Sequence, residues 1–372
     1  MAKQVTIDLH AKRIAPDADI WIVHSGRNSQ LLDFFEQNQL VVLEYPGLDL
    51  QPQVLGDDAA IRQRLRRSQA IRANKGLTRS DGTPILLTQF RDTPDTDVAV
   101  ALRTVRHLTT RMKPGDLVVA PGKGSQSRVL FGEVDGMFDP SLTTRTPGIS
   151  YADVPARSVR WLSTKNLKRD LPPYLQRYFE KPPAIARVPR DRFSENFYDH
   201  AYKSYIKDNT SWAVIDAPQY NGTDLRATIE PTSLVVFAVA LIAAAESGDD
   251  YSTLNYSQII DKYYDVSAFE KLAVSYNSPG EYPAKARDAV RALVLAGIIS
   301  VAAVGGLSAC SQPNAHVSVT NSEAPADPTN PIVERMINRA IEGAGGAALA
   351  EADAKGQRSH ASVNLTAPAE VR

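Results

Sequence analysis

The pattern of hydrophobic and polar positions in the first half of the chain predicts short strands separated by helices. The runs IWIV at residues 20–23 and LVVLE at residues 40–44 are rich in β-branched residues, which is typical of strands. The segment between them, residues 29–39, carries apolar side chains at helical spacing behind a serine cap. An apolar stripe of helical period over residues 98–112 predicts a second helix, which Pro114 ends.

Two apolar strands follow this helix and are joined by a basic loop. LVV at residues 117–119 and VLFGEV at residues 129–134 enclose a segment of glycine, serine, lysine and arginine. SVRWL at residues 158–162 predicts one further strand. Residues 19–165 therefore predict about five or six short strands with two or three helices, the pattern of a small mixed barrel. The alternative for the basic segment is an ordinary glycine hairpin with solvated charges.

A proline-rich segment, residues 171–190, separates this region from a mainly helical second half. It holds five prolines, and such a composition is typical of a linker between domains. Beyond it, residues 233–246 are apolar on all sides, which predicts a helix buried at the centre of a domain. The sequence thus predicts a leader at residues 1–18, a first domain at residues 19–188 and a mainly helical domain at residues 189–309.

The last part of the chain, residues 310–372, is predicted to be a flexible tail. Residues 312–330 are rich in Pro, Asn, Ser and Thr, which bury too little apolar surface to fold alone. One amphipathic helix is expected at residues 331–344, where apolar side chains share one side. About twenty final residues are expected to be disordered.

The longest uncharged stretch, residues 292–313, supports two interpretations. Its apolar part is about 18 residues long, the lower limit for crossing a bilayer. Its Gly and Ala content and its lack of flanking aromatic anchors argue against a membrane span. In the soluble alternative, residues 283–296 form a helix that Gly297 ends, and residues 298–304 continue as a buried strand.

Composition narrows the class of partner and the cellular compartment. The 42 basic and 42 acidic residues give a formal net charge of zero, so any attraction for nucleic acid or anionic membrane must be local. A single cysteine, Cys310, excludes an internal disulfide framework and fits a reducing compartment. The first 20 residues lack the apolar region of a secretory signal. We therefore expect a cytoplasmic protein.

Three segments of the first half occur in an order that matches a known family. They are WIVHSG at residues 21–26, GDLVVAPGKGSQSRVLFGEV at residues 115–134 and RSVRWL at residues 157–162. Together they resemble the EVE and PUA-like domains found in bacterial restriction and phage-defence proteins. The resemblance covers residues 19–188 and implies an α+β protein, with a PUA-like small mixed β-barrel and flanking helices before the helical domain and the partly disordered tail. It also implies a cleft that holds an extruded base, where stacking and hydrogen bonds to the base edge distinguish a modified base.

The resemblance and the charge pattern together indicate candidate nucleic-acid-binding residues. Residues 59–80 hold seven basic residues and no acidic one, so phosphate contacts compete there with the alternative of a solvated helix face. The two tryptophans of the family's strands lie beside its cleft, although a strand tryptophan is more often part of the core. The candidates are Trp21, Ser25, Gly26, Arg27, Tyr45, Arg62, Arg66, Arg67, Lys123, Gly124, Arg128 and Trp161.

Signals for catalysis are weak in this sequence. No phosphate-binding, zinc-protease or serine-hydrolase motif occurs and the six histidines are scattered, so neither a cofactor nor a metal is expected. Asp216, Asp224 and Glu230 are candidates for a nuclease trio. The lysine that such sites usually place beside the last acid is missing from this segment.

Three functions are consistent with the sequence. The leading hypothesis is a non-enzymatic nucleic-acid-binding protein that senses a modified base in DNA, in a bacterial restriction or antiviral defence system. Its helical domain would then form a homo-oligomer or recruit a protein partner. The first alternative is a defence effector whose sensor controls a membrane-acting segment at residues 292–309. The second alternative is a nuclease with its active site in the C-terminal half.

Overall fold

The chain divides into two compact units, and one is inserted in the sequence of the other. The structure, a computed structural model, describes residues 4–74, 79, 81, 83, 85, 86, 89, 90, 97–162, 166–180, 183–275, 280–312 and 315–371. The inserted unit is Asp17–Ala201, and the flanking unit combines Met1–Pro16 with Tyr202–Arg372. The predicted domain boundary at residue 188 therefore lies within the inserted unit.

The strands and α-helices of the described residues are numbered in chain order. The strands are β1 (Gln4–Asp8), β2 (Lys12–Ile14), β3 (Ile20–Val23), β4 (Leu40–Val42), β5 (Leu117–Pro121), β6 (Arg128–Val134), β7 (Thr143–Thr146), β8 (Ile149–Trp161), β9 (Asn166–Leu167), β10 (Ile185–Arg187), β11 (Ser204–Lys207), β12 (Thr210–Ala217), β13 (Phe269–Leu272), β14 (Gly280–Ala286), β15 (His316–Thr320) and β16 (Glu370–Val371). The helices are α1 (Leu32–Asn38), α2 (Asp58–Ala73), α3 (Ala99–Arg106), α4 (Pro173–Gln176), α5 (Asn196–Ala201), α6 (Ile229–Ser247), α7 (Tyr256–Tyr263), α8 (Arg291–Ala303), α9 (Leu307–Cys310), α10 (Asn330–Glu342) and α11 (Gly346–Val363).

The inserted unit is built on one curled, half-barrel sheet. Its strand order is β10-β3-β5-β6-β8-β4, with β7 paired to β8 and β9 paired to β6. Strands β3 and β5 are parallel, and the other pairs of this sheet are antiparallel. The strands that the apolar runs predict are present as β3, β4, β5, β6 and β8. The expected mixture of helix and strand is confirmed.

Helices complete the core of the inserted unit, because their apolar side chains recur at helical spacing. In α2 the buried residues share one face of the helix, and they are Ile61, Leu65, Ser68 and Ile71. Asp57 caps the start of α2, since its carboxylate accepts hydrogen bonds from the first free N–H groups. The helix predicted at residues 98–112 is confirmed as α3 and the π-helical turn His107–Arg111 that continues it.

In the described part of the flanking unit there are two sheets, and each includes a strand from the N-terminal segment of the chain. One sheet has the order β15-β1-β16, and the other has the order β13-β14-β12-β11-β2. Strand β1 runs parallel to β15, and β2 runs parallel to β11. The prediction of a separate leader at residues 1–18 is therefore wrong, because strands from distant parts of the chain pair with this segment.

Helix α6 is the central apolar helix of the flanking unit, as the sequence predicts. With the preceding 3-10 turn, it forms Leu225–Ser247, the one helix among the described residues that is long and apolar enough to cross a membrane. However, 61% of its apolar window is buried inside the protein. The core helix of a soluble protein has this property.

Helix α8 corrects the prediction for residues 283–304. It is one helix that continues through Gly297, whereas residues 283–286 belong to β14. A Cβ atom on Gly297 would lie 2.5 Å from Ile337 Cδ1, so glycine permits the close approach of α10. Every residue from Ala292 to Ala302 is buried, and the 13 residues of α8 are too few to cross a bilayer. These observations favour the buried interpretation over a membrane span.

The predicted flexible tail forms regular structure over much of residues 315–371. The amphipathic helix expected at residues 331–344 is confirmed as α10. The prediction of disorder in the final residues is wrong, because α11 occupies residues 346–363. Gly356 of α11 packs against the backbone of α8, where a Cβ atom would overlap the Ala302 carbonyl. Contacts with distant parts of the chain therefore stabilise a segment that has little apolar content of its own.

Candidate functional site

The chain turns sharply where β3 ends, and this turn begins the candidate site. Gly26 has a φ of 73°, a conformation that glycine adopts without strain. The Leu31 N–H donates to the Ser25 carbonyl at 2.9 Å and closes the turn onto α1. A Cβ atom on Gly26 would lie 3.1 Å from Glu44 Oε2. Glycine therefore lets this turn pack closely against the side chains of Glu44 and Leu31.

Glu44 presents a carboxylate that has no hydrogen bond or ion pair with any residue the structure describes. Its second oxygen lies beside another glycine, since a Cβ atom on Gly148 would be 3.7 Å from Glu44 Oε1. The same position would be 3.1 Å from Gln30 Nε2. Two glycines thus border the two carboxylate oxygens, with an amide side chain nearby. We call Gly26, Gln30, Glu44 and Gly148 the Glu44 site.

Three hydroxyl groups of the inserted unit are buried and have no hydrogen-bond partner among the described residues. Ser25 and Ser68 are fully buried and Thr146 is 2% exposed, and none of their hydroxyl oxygens has a partner among the described residues. Ser25 adjoins Gly26, Thr146 lies two residues before Gly148, and Ser68 lies one helical turn before Arg72. Buried polar groups are nearly always satisfied in native structures. These hydroxyls are therefore exceptions in the part of the inserted unit that the structure describes, whereas the candidate for ligand binding is the unpaired Glu44 carboxylate.

Cationic side chains lie at the edge of this site. Arg72 Nη1 donates to the Glu44 carbonyl at 3.3 Å, although its exposed guanidinium has no carboxylate partner in the described part of the chain. Burial raises the pKa of the neighbouring Tyr45 phenol, and the Arg72 charge opposes this rise. Lys123 Nζ lies 2.9 Å from Asn28 Oδ1, next to the exposed Arg27. The structure thus brings Arg27, Tyr45 and Lys123 close to the Glu44 site.

The basic loop between β5 and β6 is held in place by backbone hydrogen bonds. The N–H groups of Lys168 and Arg169 donate to the carbonyls of Ser127 and Ser125 at 2.8 and 2.9 Å. Gly124 has a φ of 85°, which a tight hairpin requires. The loop is therefore a glycine hairpin that hydrogen bonds from residues 168 and 169 hold on one side. An ordinary glycine hairpin is the alternative that the sequence left open.

Arg128, at the start of β6, differs from Lys123 because its charge is compensated. Its two terminal nitrogens lie 2.8 Å from Glu36 Oε2 and 2.6 Å from Asp33 Oδ1. Both acids belong to α1. Arg128 is therefore a poor candidate for a phosphate contact, since binding would break two ion pairs.

Trp21 is part of the core and cannot stack on a ligand. Its side chain is 1% exposed, and its ring lies 5.1 Å from the His107 ring. Its Nε1–H donates to the buried Asp116 carboxylate at 2.8 Å. The structure therefore corrects the prediction that Trp21 lines a binding cleft, because its ring and its indole N–H both make contacts inside the protein.

Trp161 is half-buried and has a structural position as well. Its Nε1–H donates to the Phe35 carbonyl at 2.7 Å, and its ring lies nearly parallel to the Phe35 ring at 6.5 Å. A Cβ atom on Gly132 would lie 2.6 Å from Trp161 Cε3, so one part of the indole packs directly on the β6 backbone. These contacts favour the core alternative for Trp161 over stacking on a base.

The basic run lies on α2, beside the face that packs into the core. Arg62, Arg66 and Arg67 are partly buried there. Arg64, on the same helix, is paired with Asp49 at 2.8 Å. Part of the predicted run, including Lys75, lies outside the described residues. The helix that carries these arginines also carries Arg72, which donates to the Glu44 carbonyl.

The proposed nuclease trio is not assembled in the flanking unit. Asp224 accepts from Arg226, and Glu230 pairs with Arg358 at 2.7 Å. Asp216 has a lysine partner that the sequence did not indicate, because Lys203 Nζ lies 2.8 Å from its carboxylate and 3.5 Å from Glu281. Each of the three acids therefore has a cationic partner of its own. Among the described residues, no group of three metal-ligating side chains is present.

Several members of the candidate site were missed by sequence reasoning. They are Gln30, Glu44 and Gly148. One signal was available, since Glu44 is an acidic residue at the end of the apolar run LVVLE. The others come from separate segments with no local pattern of their own.

In comparisons with known proteins, no family model, no curated protein and no solved structure matches this chain.

Proposed function

We propose that the inserted unit is an EVE/PUA-like module that binds one extruded base of nucleic acid, namely a modified base in DNA. The observation that carries this proposal is the unpaired Glu44 carboxylate between Gly26 and Gly148. A carboxylate accepts hydrogen bonds from base N–H groups, and this one has no partner of its own among the described residues. The resemblance of residues 19–188 to that family supports the same function.

The cations at the edge of the site suit the phosphates on either side of an extruded base. Lys123 donates a hydrogen bond to Asn28, the residue that follows Arg27. Neither Arg27 nor Lys123 has a carboxylate partner among the described residues. Phosphate contacts position a nucleic acid without reading its sequence. Arg62, Arg66 and Arg67 of α2 are further candidates for such contacts. A protein of this kind would act on DNA in the cytoplasm of a bacterium, as part of a restriction or defence system.

In this proposal, the flanking unit is the part of the chain that binds other protein molecules. Its helices would mediate self-association or recruit a second protein after the inserted unit has bound a base. The protein would act without chemistry of its own. The membrane-acting alternative has less support, because α8 is short and buried.

Fluorescence anisotropy with labelled duplexes tests the proposal. We expect the full chain to bind duplexes that carry a modified or unpaired base, with affinity that falls as salt rises. Lys123→Gln should weaken binding to all sequences and reduce the salt dependence by about one released counterion. Arg128→Gln is the matched control, since Asp33 and Glu36 already compensate that charge. Absence of binding, or equal effects of the two variants, would contradict the proposal.

A further inference from the structure

We infer that Ser322 is a nucleophile that His10 activates, and that it takes the acyl group from reactive carboxylic esters such as aryl esters and thioesters. Both residues belong to the flanking unit. The inference goes beyond the proposed function, which concerns base binding by the inserted unit and needs no chemistry. It follows from the juxtaposition of a serine, a histidine and two carboxylates at one sheet.

The sheet β15-β1-β16 brings these four side chains together. Asp8 ends β1, where it pairs with Thr320 of β15 on one side and with Glu370 of β16 on the other. His10 follows β1 by two residues, and Ser322 follows β15 by two residues. Because β1 and β15 are parallel, the two segments leave the sheet at the same edge. A serine and its base are recognised by such geometry and not by their order in the sequence.

The serine and the histidine are in direct contact. Ser322 Oγ lies 2.8 Å from His10 Nδ1, which is within the reach of a nucleophile and its general base. The Ser322 N–H donates to Asp8 Oδ1 at 2.8 Å, so a buried carboxylate fixes the serine backbone. His10 has a φ of 46°, a left-handed conformation that costs free energy in a residue with a Cβ atom. The fold therefore holds the histidine against the serine in spite of local strain.

The two carboxylates favour the proton positions that the reaction needs. His10 Nε2 lies 3.6 Å from Glu370 Oε2, which favours the imidazole proton on Nε2 and leaves Nδ1 to accept from the Ser322 hydroxyl. Asp8 Oδ1 lies 4.0 Å from Nδ1. When Nδ1 takes the hydroxyl proton, both carboxylates stabilise the imidazolium ion that forms.

Acyl transfer then proceeds in two steps. First, Ser322 Oγ forms a bond to the carbonyl carbon while its proton moves to His10 Nδ1. The bond to the leaving group breaks with its electron pair, and His10 returns the proton to the leaving oxygen or sulfur. Second, water attacks the acyl-serine with His10 again as the base, which releases a carboxylic acid and restores Ser322.

The backbone around Ser322 limits the substrates. Its own N–H is taken by Asp8, and the N–H of Glu323 donates to Asn321 Oδ1 at 3.2 Å. These two donors therefore do not stabilise an oxyanion, a contribution worth about 10²–10³ in rate for one donor. The site is thus suited to acyl donors whose leaving group already departs readily. Such molecules reach the pair from solvent, because Ser322 is exposed and the His10 side chain is 40% exposed.

Labelling of the full chain with a fluorophosphonate tests the nucleophile. Ser322 Oγ would form a bond to phosphorus, fluoride would leave with the electron pair of the P–F bond, and the hydroxyl proton would pass to His10. We expect mass spectrometry of the peptides to locate the adduct on Ser322, and Ser322→Ala to lose it. Ser252→Ala is the matched control and should keep it, since Ser252 is an exposed serine of the same unit whose hydroxyl donates to Asp250.

Two further variants test how the serine is activated. Asparagine adopts the left-handed conformation readily, so His10→Asn removes the base and preserves the turn. Adduct formation should then slow by at least about tenfold. Glu370→Gln should slow it less and should move the rise of the rate with pH to lower pH, because the imidazolium ion loses a carboxylate neighbour. A merely structural role of Glu370 would leave this pH profile unchanged, and melting temperatures verify that each variant is folded.

The outcomes decide the inference independently of base binding. No adduct, an adduct only at another residue, or equal rates in the parent and His10→Asn would overturn it. Duplex binding by Ser322→Ala, measured by anisotropy, should match that of the parent, because the inserted unit carries the proposed base site. Failure of the labelling experiment therefore leaves the proposed function standing, and failure of duplex binding leaves the reactive serine standing.

Discussion

The indole N–H of Trp21 donates a 2.8 Å hydrogen bond to Asp116 Oδ2, which links β3 to the residue that precedes its parallel neighbour β5. The same carboxylate accepts from the backbone N–H groups of Asp19 and Lys113, each at 2.9 Å. Asp116 is 1% exposed. The pair of a strand tryptophan and a Gly-Asp turn therefore forms an internal brace of the half-barrel rather than a ligand-binding cleft.

This brace predicts a loss of stability in Asp116→Asn. The amide has nearly the same volume, but it replaces one acceptor oxygen with a donor that faces N–H groups. We expect the free energy of unfolding of the inserted unit to fall by about 1–3 kcal/mol. Urea unfolding followed by tryptophan fluorescence measures this loss. Asp135→Asn is the control, since Asp135 is exposed and its change should stay within about 0.5 kcal/mol.

Trp161 and Glu44 are expected to give opposite results in paired measurements of stability and binding. Trp161→Ala removes the contacts with Phe35 and Gly132, so it should lower the free energy of unfolding by about 3 kcal/mol. Below its own melting temperature, the Trp161→Ala variant should keep the preference among bases that the parent shows. Glu44→Gln should melt like the parent and lose that preference. If Trp161→Ala kept its stability and lost the preference, Trp161 would belong to the ligand site.

Two glycines of α11 provide a matched test of the packing of the C-terminal helix. Gly356→Ala places a methyl group against the Ala302 backbone, so we expect a loss of about 1–3 kcal/mol in the stability of the flanking unit. Gly346→Ala meets nothing within 4 Å and should be neutral or stabilising by up to about 1 kcal/mol. Circular dichroism measures the melting temperature of each variant. Equal melting temperatures of the two variants would argue against the contact between α11 and α8.

Two histidines predict how the stability of the inserted unit depends on pH. Burial lowers the pKa of the His24 imidazole below 6.5, and the Lys168 charge adds to this effect. Burial likewise lowers the pKa of His107, although the Ile185 carbonyl opposes it. As pH falls through 6.5, the unfolded state takes up protons before the folded state does, so the free energy of unfolding should decrease.

Melting curves at pH 7.5 and pH 5.5 measure this dependence. We expect a lower melting temperature at the acidic pH in the parent. The double variant His24→Gln with His107→Gln should show a smaller difference between the two pH values. An unchanged difference would assign the pH dependence to other groups.

The sequence by itself determined the elements whose signals are local. Residues 20–23 and 117–119 are apolar, β-branched runs and form β3 and part of β5. Residues 233–246 lie within α6, and residues 331–344 predict α10 nearly to its ends. Hydrophobic period and composition act over one strand or one helix, and these properties are visible in a single stretch of chain.

Only the tertiary structure decided which segments become partners. The composition of residues 1–18 and 346–363 indicates little intrinsic order, yet β1 pairs with β15 and α11 packs on α8 through Gly356. The Glu44 site likewise depends on residues from separate loops that come together when the inserted unit folds. Strand pairing and close packing depend on the chemistry of residues far apart in the sequence, so no local pattern encodes them. A carboxylate at the end of an apolar run becomes a candidate site only when the folded chain leaves it without a partner.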